Sequence, residues 1–430
     1  MGISYNPSIV TEGLVLGLDP QSTRSYVGSG TTWTDLTNRG NNGTLTNGPV
    51  FIPGGPFNNS GGSVYFDGNG DKLSCTPSNL TGEFTIEGWW YANAFPATTV
   101  LFGNWGGGCL LRLGNEGSEL QWYTTGLLSG MRGSIGFTLS TGTWYHVAVS
   151  RDSSNVHRTF VNGTQIASET NSDSISMSNL CIGSENTSSG TTDIWNGYIS
   201  NFRIVDGTAL YTSNFTPPTG PLEAIDDTVL LTCQGGAITD NGPSSHAITV
   251  TNDAKAITAS AFDFDGSNDY VVTSSNTDFL FGTEEFAIEW WEYFTGNTAA
   301  QQGHVGVFEY NHTIANIWTL DGSFHGYLQG FGWTSVAMQP ISNQWAHYVV
   351  TGTSGDIKFY QNGELKDTKT WDWSATSSTS NFAVGGTPGW AFGNYEMQGK
   401  ISAVRVYKGK SFTEDEVKRN FSALRGRYGI

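Results

Sequence analysis

The chain has 430 residues, with 38 Asp and Glu against 20 Lys and Arg and a formal charge of −18. That length holds two domains of about 200 residues each. Its 56 Gly, 15 Trp, 17 Tyr and 24 Phe favour short strands joined by tight turns over helical bundles or coiled coils. So acidic a surface excludes nucleic acid as a partner, because phosphate binding needs clustered Lys and Arg. No apolar run approaches the ~20 residues of a membrane span, so no membrane insertion is expected. Met1 to Val10 has neither the basic start nor the apolar core of a secretory signal, and synthesis without export is the expectation.

Along the chain, the first apolar run is Leu14-Val15-Leu16. A strand and turn follow at Tyr65-Phe66-Asp67-Gly68-Asn69-Gly70-Asp71. Between Glu83 and Tyr91 the residues Phe84, Ile86, Gly88 and Trp90 alternate with Thr85, Glu87, Trp89 and Tyr91, the period of a strand. Tyr145, Val147 and Val149 alternate with His146 and Ala148 in the same way. Asn162-Gly163 then supplies the positive φ of a two-residue hairpin turn. Gly197-Tyr198-Ile199-Ser200 is the last strand of the first half. Cys75, Cys109, Cys181 and Cys233 have no CxxC spacing and read as four free, packed thiols.

The same words return about 200 residues later. Asp263-Phe264-Asp265-Gly266-Ser267-Asn268-Asp269 repeats the first turn, and Glu285-Phe286-Ala287-Ile288-Glu289-Trp290-Trp291 repeats the Glu83–Trp90 strand. Trp345-Ala346-His347 repeats Trp144-Tyr145-His146, Asn362-Gly363 repeats Asn162-Gly163, and Gly399-Lys400-Ile401-Ser402 repeats Gly197–Ser200. The halves are a duplication. Prolines at 217, 218 and 221 predict a short, stiff linker over about 216–224, giving domains 1–218 and 219–430. A single helix is predicted over Thr413 to Leu424, opened by the capping box Thr413-Glu414-Asp415-Glu416.

In this order the motifs resemble laminin-G-like, concanavalin A-like jelly-roll domains, over nearly all of both halves. The resemblance implies an all-β protein of two tandem antiparallel sandwiches. Ile199-Ser200-Asn201-Phe202-Arg203-Ile204 and the run Gly207 to Pro218 are also similar to repeats in virion structural proteins of tailed phages, those of cyanobacterial phages above all. This second likeness implies a structural protein located in the virion, with other capsid or tail proteins and copies of itself as partners. The role it implies is a capsid-decorating or knob-like protein that adheres weakly to host-surface polysaccharide. The alternatives are a receptor-binding lobe of a tail fibre and a glucanase-like enzyme that acts on polysaccharide.

Candidate sites follow from residue chemistry. Glucanases of this fold carry a strand with an acidic triplet that places nucleophile and acid on one face. Here Thr85 interrupts Glu83 and Glu87, and Ala287 interrupts Glu285 and Glu289, so no catalysis is expected and these glutamates read as the solvent side of a half-buried strand. His146 and His347 read as packed, hydrogen-bonded structure. Asp67, Asp71, Asp265 and Asp269 resemble the opening of an oxygen-ligand loop, for which calcium is the natural ion, although tight Asp-Gly turns explain them equally. Loop aromatics that could stack on sugar rings are Trp105, Trp122, Tyr123, Trp371, Trp373 and Trp390. From Lys400 onward the chain is basic, 8 positive against 3 negative, while residues 223–399 carry 20 acidic and 4 basic side chains. Lys400, Lys408, Lys410, Arg425 and Arg427 therefore fold onto the chain's own acidic half or dock an acidic partner.

Overall fold

The computed structural model describes residues 8–430 except 48, 58–61, 96–97, 105–107, 125–130, 137, 186–192, 236, 252–254, 275–276, 282, 299, 307–315, 321, 329–331, 354, 371–380 and 387–394. The chain forms two compact units, one continuous (Pro53–Thr258) and one split between Met1–Ile52 and Ala259–Ile430.

The split unit opens with β1 (Leu14–Leu18), β2 (Thr32–Trp33), β3 (Gly43–Thr46) and β4 (Val50–Ile52). The continuous unit follows with β5 (Ser63–Asp67), β6 (Lys72–Cys75), β7 (Phe84–Ala92), β8 (Thr98–Asn104), β9 (Cys109–Gly114), β10 (Glu119–Thr124) and β11 (Met131–Ser134). It continues through β12 (Trp144–Arg151), β13 (Val156–Val161), β14 (Thr164–Thr170), β15 (Leu180–Ile182) and β16 (Asn196–Asp206). It ends with β17 (Thr228–Thr232), β18 (Thr249–Thr251) and β19 (Lys255–Ile257). One of its sheets has the order β14-β13-β12-β7-β16-β5-β19 with β17 also on β16, and the other the order β11-β10-β9-β8-β15-β6-β18. Phe66, Phe84, Trp90, Phe102, Trp122, Trp195 and Phe202 fill its core. Each such buried ring contributes on the order of 2–3 kcal/mol of transfer free energy.

The split unit resumes with β20 (Ala261–Asp265), β21 (Tyr270–Thr273), β22 (Phe286–Phe294), β23 (Gln302–Gly306), β24 (Asn316–Leu320), β25 (Ser323–Leu328) and β26 (Gly332–Ser335). It closes with β27 (Trp345–Thr353), β28 (Asp356–Gln361), β29 (Glu364–Lys369), β30 (Ala383–Val384), β31 (Gln398–Lys408) and helix α1 (Glu414–Leu424). Its sheets run β29-β28-β27-β22-β31-β20-β4, with β1 on β31, and β2-β3-β21-β30-β23-β24-β25-β26. Trp33, Phe262, Phe264, Trp290, Phe324 and Tyr348 lie in its core. The architecture is the expected all-β one, two antiparallel jelly rolls.

Local expectations hold where the chemistry is local. Asn162-Gly163 and Asn362-Gly363 take φ of 46°, 77°, 51° and 82°, the paired positive values of the tightest hairpin turn. Helix α1 starts at the Thr413–Glu416 capping box, with both reciprocal hydrogen bonds formed. All four cysteines are free and buried, and burial pushes the Cys75 and Cys109 thiols up to about 12.

Domain limits differ from those read in the sequence. The chain crosses between units at 52/53 and 258/259, not at 218/219. Residues expected as a linker are docked on the continuous unit: the Leu222 N–H donates to Asn201 Oδ1, and Arg203 donates to the Glu223 carbonyl. The cause is strand pairing. β17 adds to β16 of the half that precedes it, and β1 adds to β31, almost 400 residues away in sequence. The strand before each repeat therefore completes the other repeat's sandwich. Both completing segments are folded by one buried or half-buried carboxylate. Asp35 accepts the N–H groups of Gly17, Thr37 and Asn41, and Asp240 accepts those of Leu231, Gly242 and His246. Asp35→Ala strips three amides of their acceptor in a buried site and is expected to cost roughly 2–4 kcal/mol. Thermal unfolding of the variant reads this as a lowered Tm, and an unchanged Tm contradicts the account.

Candidate functional site

The sheet order places Glu87 on β7 between His146 on β12 and Arg203 on β16. Glu87 is fully buried. His146 Nε2 lies 3.1 Å from Glu87 Oε2, and Arg203 Nε lies 3.0 Å from Oε1 with Nη2 on the same oxygen. A carboxylate only accepts, so Nε2 carries the imidazole proton. The row repeats in the split unit. Glu289 on β22 takes His347 Nε2 at 3.1 Å from β27 and Arg405 Nη1 at 3.2 Å from β31. Each row is sealed by a different cover. In the continuous unit the Tyr211 hydroxyl donates to Glu87 Oε2 at 2.8 Å, and its ring stacks on Phe215 at 3.6 Å. In the split unit Asn420 of α1 donates to Glu289 Oε2 at 2.8 Å, and Tyr428 stacks on Trp291 at 4.0 Å.

These glutamates are thus not the solvent side of their strands. They lie under covers, each committed to three donors, and neither is placed to attack or protonate a substrate. Burial pushes both carboxyls up, but the histidine and arginine donors outweigh it and hold them below the ordinary 4.5. Glu285 is exposed and spent on the Ser411 N–H and hydroxyl. The histidines are the packed structural groups expected.

An open cleft lies elsewhere in the split unit, where β4, β20 and β31 run side by side. Its volume is about 350 Å³, and Asn47, Val50, Asp263, Phe264, Asp265, Asp269, Thr295, Gln398 and Lys400 line it. Strand alternation explains the composition: Phe262 and Phe264 face the core, so Asp263 and Asp265 face out. Lys400 Nζ sits 3.7 Å from Asp263 and 5.2 Å from the Tyr293 ring centre. Burial, with Asp265 and Asp263 close by, raises the Asp269 carboxyl, and burial with Asp265 and Asp269 raises that of Glu396. The cleft gathers carboxylate acceptors, amides, a hydroxyl and one ammonium beside an aromatic face. Such a set exchanges hydrogen bonds with vicinal hydroxyls.

Asp265, Asp269 and Lys400, singled out separately in the sequence, meet in this cleft. The two aspartates also shape its turn: Asp265 accepts the Ser267 N–H, and Asp269 accepts that of Asp265. Asp67 and Asp71 act alike in the continuous unit. Among the described residues no group of three or more His, Cys, Asp or Glu is arranged to hold a metal ion. Asp263, Asn47, Thr295 and Gln398 were not found by sequence; outward alternation along β20 was the one available signal.

Two sugar-stacking candidates are corrected. Trp122 lies on β10 in the core and donates to His157 Nδ1 at 3.1 Å. Tyr123, its neighbour on the opposite face, is also buried, with its hydroxyl bonded to Arg112 and Gln121. The Trp122-Tyr123 pair, read as lying in a loop, belongs to strand β10. Trp105, Trp371, Trp373 and Trp390 lie outside the described residues. The basic C-terminal stretch folds onto its own unit. Lys408 pairs with Glu284, Lys410 with Glu416, and Arg427 grips both oxygens of Asp19. Arg425 is exposed after α1.

Three buried groups set the acid limit. Burial pushes His157 down from 6.5 to about 4, so the unfolded chain binds its proton first and stability is lost as pH falls from 6.5 to 4. Glu87 and Glu289, held below 4.5 when folded, withdraw their contribution as pH falls below that value. Tm is expected to be level between about pH 7 and 8 and to fall in two stages below that. His157→Phe should flatten the first stage, and calorimetry across pH 3–8 checks it. At pH 7, Glu289→Ala leaves Arg405 buried without its counter-charge and is expected to cost roughly 3–5 kcal/mol.

The family profile of the laminin-G type that describes the concanavalin A-like lectin/glucanases superfamily matches residues 66–211 and 265–418. Among curated proteins none matches the sequence significantly. Similar solved structures include a candidate carbohydrate-binding protein from Bacteroides ovatus (20% identity, 45% of this chain and 61% of that one, TM-score 0.35). Domains LG4-5 of the mouse laminin α1 chain are similar over 85% of this chain and 93% of theirs (14% identity, TM-score 0.31). Domain 4 of an extracellular arabinanase from Geobacillus stearothermophilus, solved with arabinotriose, is similar over 48% and 89% (20% identity, TM-score 0.30). The chain spans 61% of the length of the Bacteroides protein. With both repeats matched, over well more than half its length, the chain belongs to the concanavalin A-like lectin/glucanase superfamily.

Proposed function

We propose that this is a non-catalytic glycan-binding protein whose site is the cleft at Asp263, Asp265, Asp269, Gln398 and Lys400. The observation that carries the reading is the contrast between two sets of carboxylates. Glu87 and Glu289, at the glucanase-like positions, are sealed under covers, whereas Asp263 and Asp265 line an open cleft with amides, a hydroxyl and an ammonium. The family includes both lectins and glucanases by name, and this contrast favours the lectin side. Because the turn aspartates already accept backbone N–H groups, binding is proposed to need no calcium.

The place of action is proposed to be the virion of a tailed phage, with capsid or tail proteins as neighbours and host-surface polysaccharide as the ligand. This rests on the phrasing of residues 199–218. Weak single-site affinity would be raised by many displayed copies.

Glycan-array screening followed by calorimetry on the best ligand tests the site. Lys400→Ala and Asp263→Ala are expected to weaken binding roughly tenfold, about 1.4 kcal/mol. Full binding by both variants would remove the cleft from the proposal. EDTA is expected to leave the affinity unchanged; a loss restored by calcium overturns the metal-free reading. No hydrolysis of laminarin or related glucans is expected. Immunogold microscopy of purified particles separates the placements: label over heads supports a decoration protein, label on tails a receptor-binding lobe, and unlabelled particles refute the virion placement.

A further inference from the structure

The two completing segments occupy equivalent places but are not interchangeable. In the continuous unit, β17, β18 and β19 pair with β16, β6 and β5. In the split unit, β1, β3 and β4 pair with β31, β21 and β20. Sequence order would seat each segment on the repeat that follows it, and the structure does the reverse. What selects the partner is a set of contacts outside the ladders. Asp19 is gripped by Arg427 through two 2.8 Å hydrogen bonds. The Val10 N–H donates to Asn420 Oδ1, and the Tyr407 hydroxyl donates to the Val10 carbonyl. Arg39 and Asn41 both bind Asp278. At the place of Asp19 the other segment has Cys233, which follows β17 as Asp19 follows β1, so it offers Arg427 no carboxylate.

The N-terminal segment is thus a dedicated complement of residues 259–430, joined to them in sequence through Pro53–Thr258, whose ends are held together by the Ser63–Ile257 pairing of β5 and β19. No strand forms between Ile52 and Ser63 among the described residues, and the run begins Pro53-Gly54-Gly55-Pro56. Seating is noncovalent, so completion is a matter of effective concentration, and a second copy competes as protein concentration rises. The receiving body has no means of telling its own segment from that of a second copy, and without a segment it would leave one flank of β31 unpaired and expose core residues such as Phe262. We propose that residues 8–52 of one copy complete the C-terminal jelly roll of another, so that two copies associate by reciprocal exchange of this segment. Because each copy gives and receives one segment, the product is a closed twofold dimer.

Charge complementation in the full chain tests this. Within one copy, Asp19→Arg sets a second guanidinium against Arg427, and Arg427→Asp sets a second carboxylate against Asp19. In a reciprocal dimer of the two variants, one of the two exchanged contacts joins the two introduced side chains and the other joins the two native ones, so both become opposite-charge pairs. The variants are unfolded, mixed and refolded, then sized by light scattering. A soluble dimer that exceeds, at least fivefold, the dimer share of either variant alone is the expected result. Monomers only, or no rescue of a variant that fails to fold alone, overturns the proposal. A second readout uses the facing pair Val50 and Asp263. Val50→Cys and Asp263→Cys chains refolded together are expected to form a disulfide-linked dimer that neither forms alone. Its absence under oxidation also counts against exchange.

Discussion

A carboxylate buried in the middle of a β-sheet cannot stand alone, and much of each unit is arranged around that constraint. An ionised carboxyl removed from water needs opposite charge and hydrogen bonds on every side. Glu87 and Glu289 obtain them from the two flanking strands, one supplying histidine and the other arginine. The repeated Trp-x-His and Ile-Ser-x-x-Arg words are these flanks. The cover completes the seal, and the Asn-Gly hairpin lies beneath it. A Cβ on Gly163 would collide with the Phe215 carbonyl oxygen, and one on Gly363 would come within 3.1 Å of the Phe421 ring. Glycine at these turns serves close approach as well as positive φ. An aromatic clamp and a helix are therefore two solutions to one electrostatic requirement.

Once the rows are sealed, the repeats are free to diverge around them. One cross-strand line in the continuous unit reads Lys255, Tyr65, Tyr198, Tyr91 and Trp144, with rings 5.0–5.6 Å apart. Its counterpart in the split unit reads Val50, Asp263, Lys400, Tyr293 and Trp345. Where one repeat has a tyrosine pair the other has an aspartate–lysine pair, and a cleft stands where rings pack in the first. Inside the sandwich the change runs in the same direction: Trp90 and Leu101 of one core correspond to Glu292 and His304 of the other. There Glu292 Oε2 accepts from Trp290 and lies 2.8 Å from His304 Nδ1.

What could be read from residues alone was whatever depends on neighbours in sequence. Alternation around Phe84–Trp90, the Asn-Gly turns and the Thr413 capping box each follow from a handful of adjacent side chains, and each is found in the fold. Arg203 and Arg405 escaped notice because their role exists only when β16 and β31 are set beside β7 and β22. Trp122 was misjudged because a large ring next to a tyrosine is compatible with both a loop and a strand, and only tertiary packing decides. The crossed seating of the two completing segments was hidden for a related reason. Strand pairing sets Val229-Leu230 in the place of Val15-Leu16, but the contacts that distinguish the N-terminal segment are those of Asp19, Arg39 and Asn41, which lie more than 200 residues away.

The insertion of one unit into the sequence of the other also decides how the chain bears load. Leu14 pairs with Tyr407, so tension applied at residues 1 and 430 reaches the β1–β31 ladder at one end and peels it pair by pair instead of shearing it. The continuous unit hangs between Ile52 and Ala259, and Ile52 is itself paired with Ala261. It stays slack until those strands part. Under pulling, the split unit lengthens first, and the unit inserted in its sequence bears load only after β1 and β4 have parted from β31 and β20.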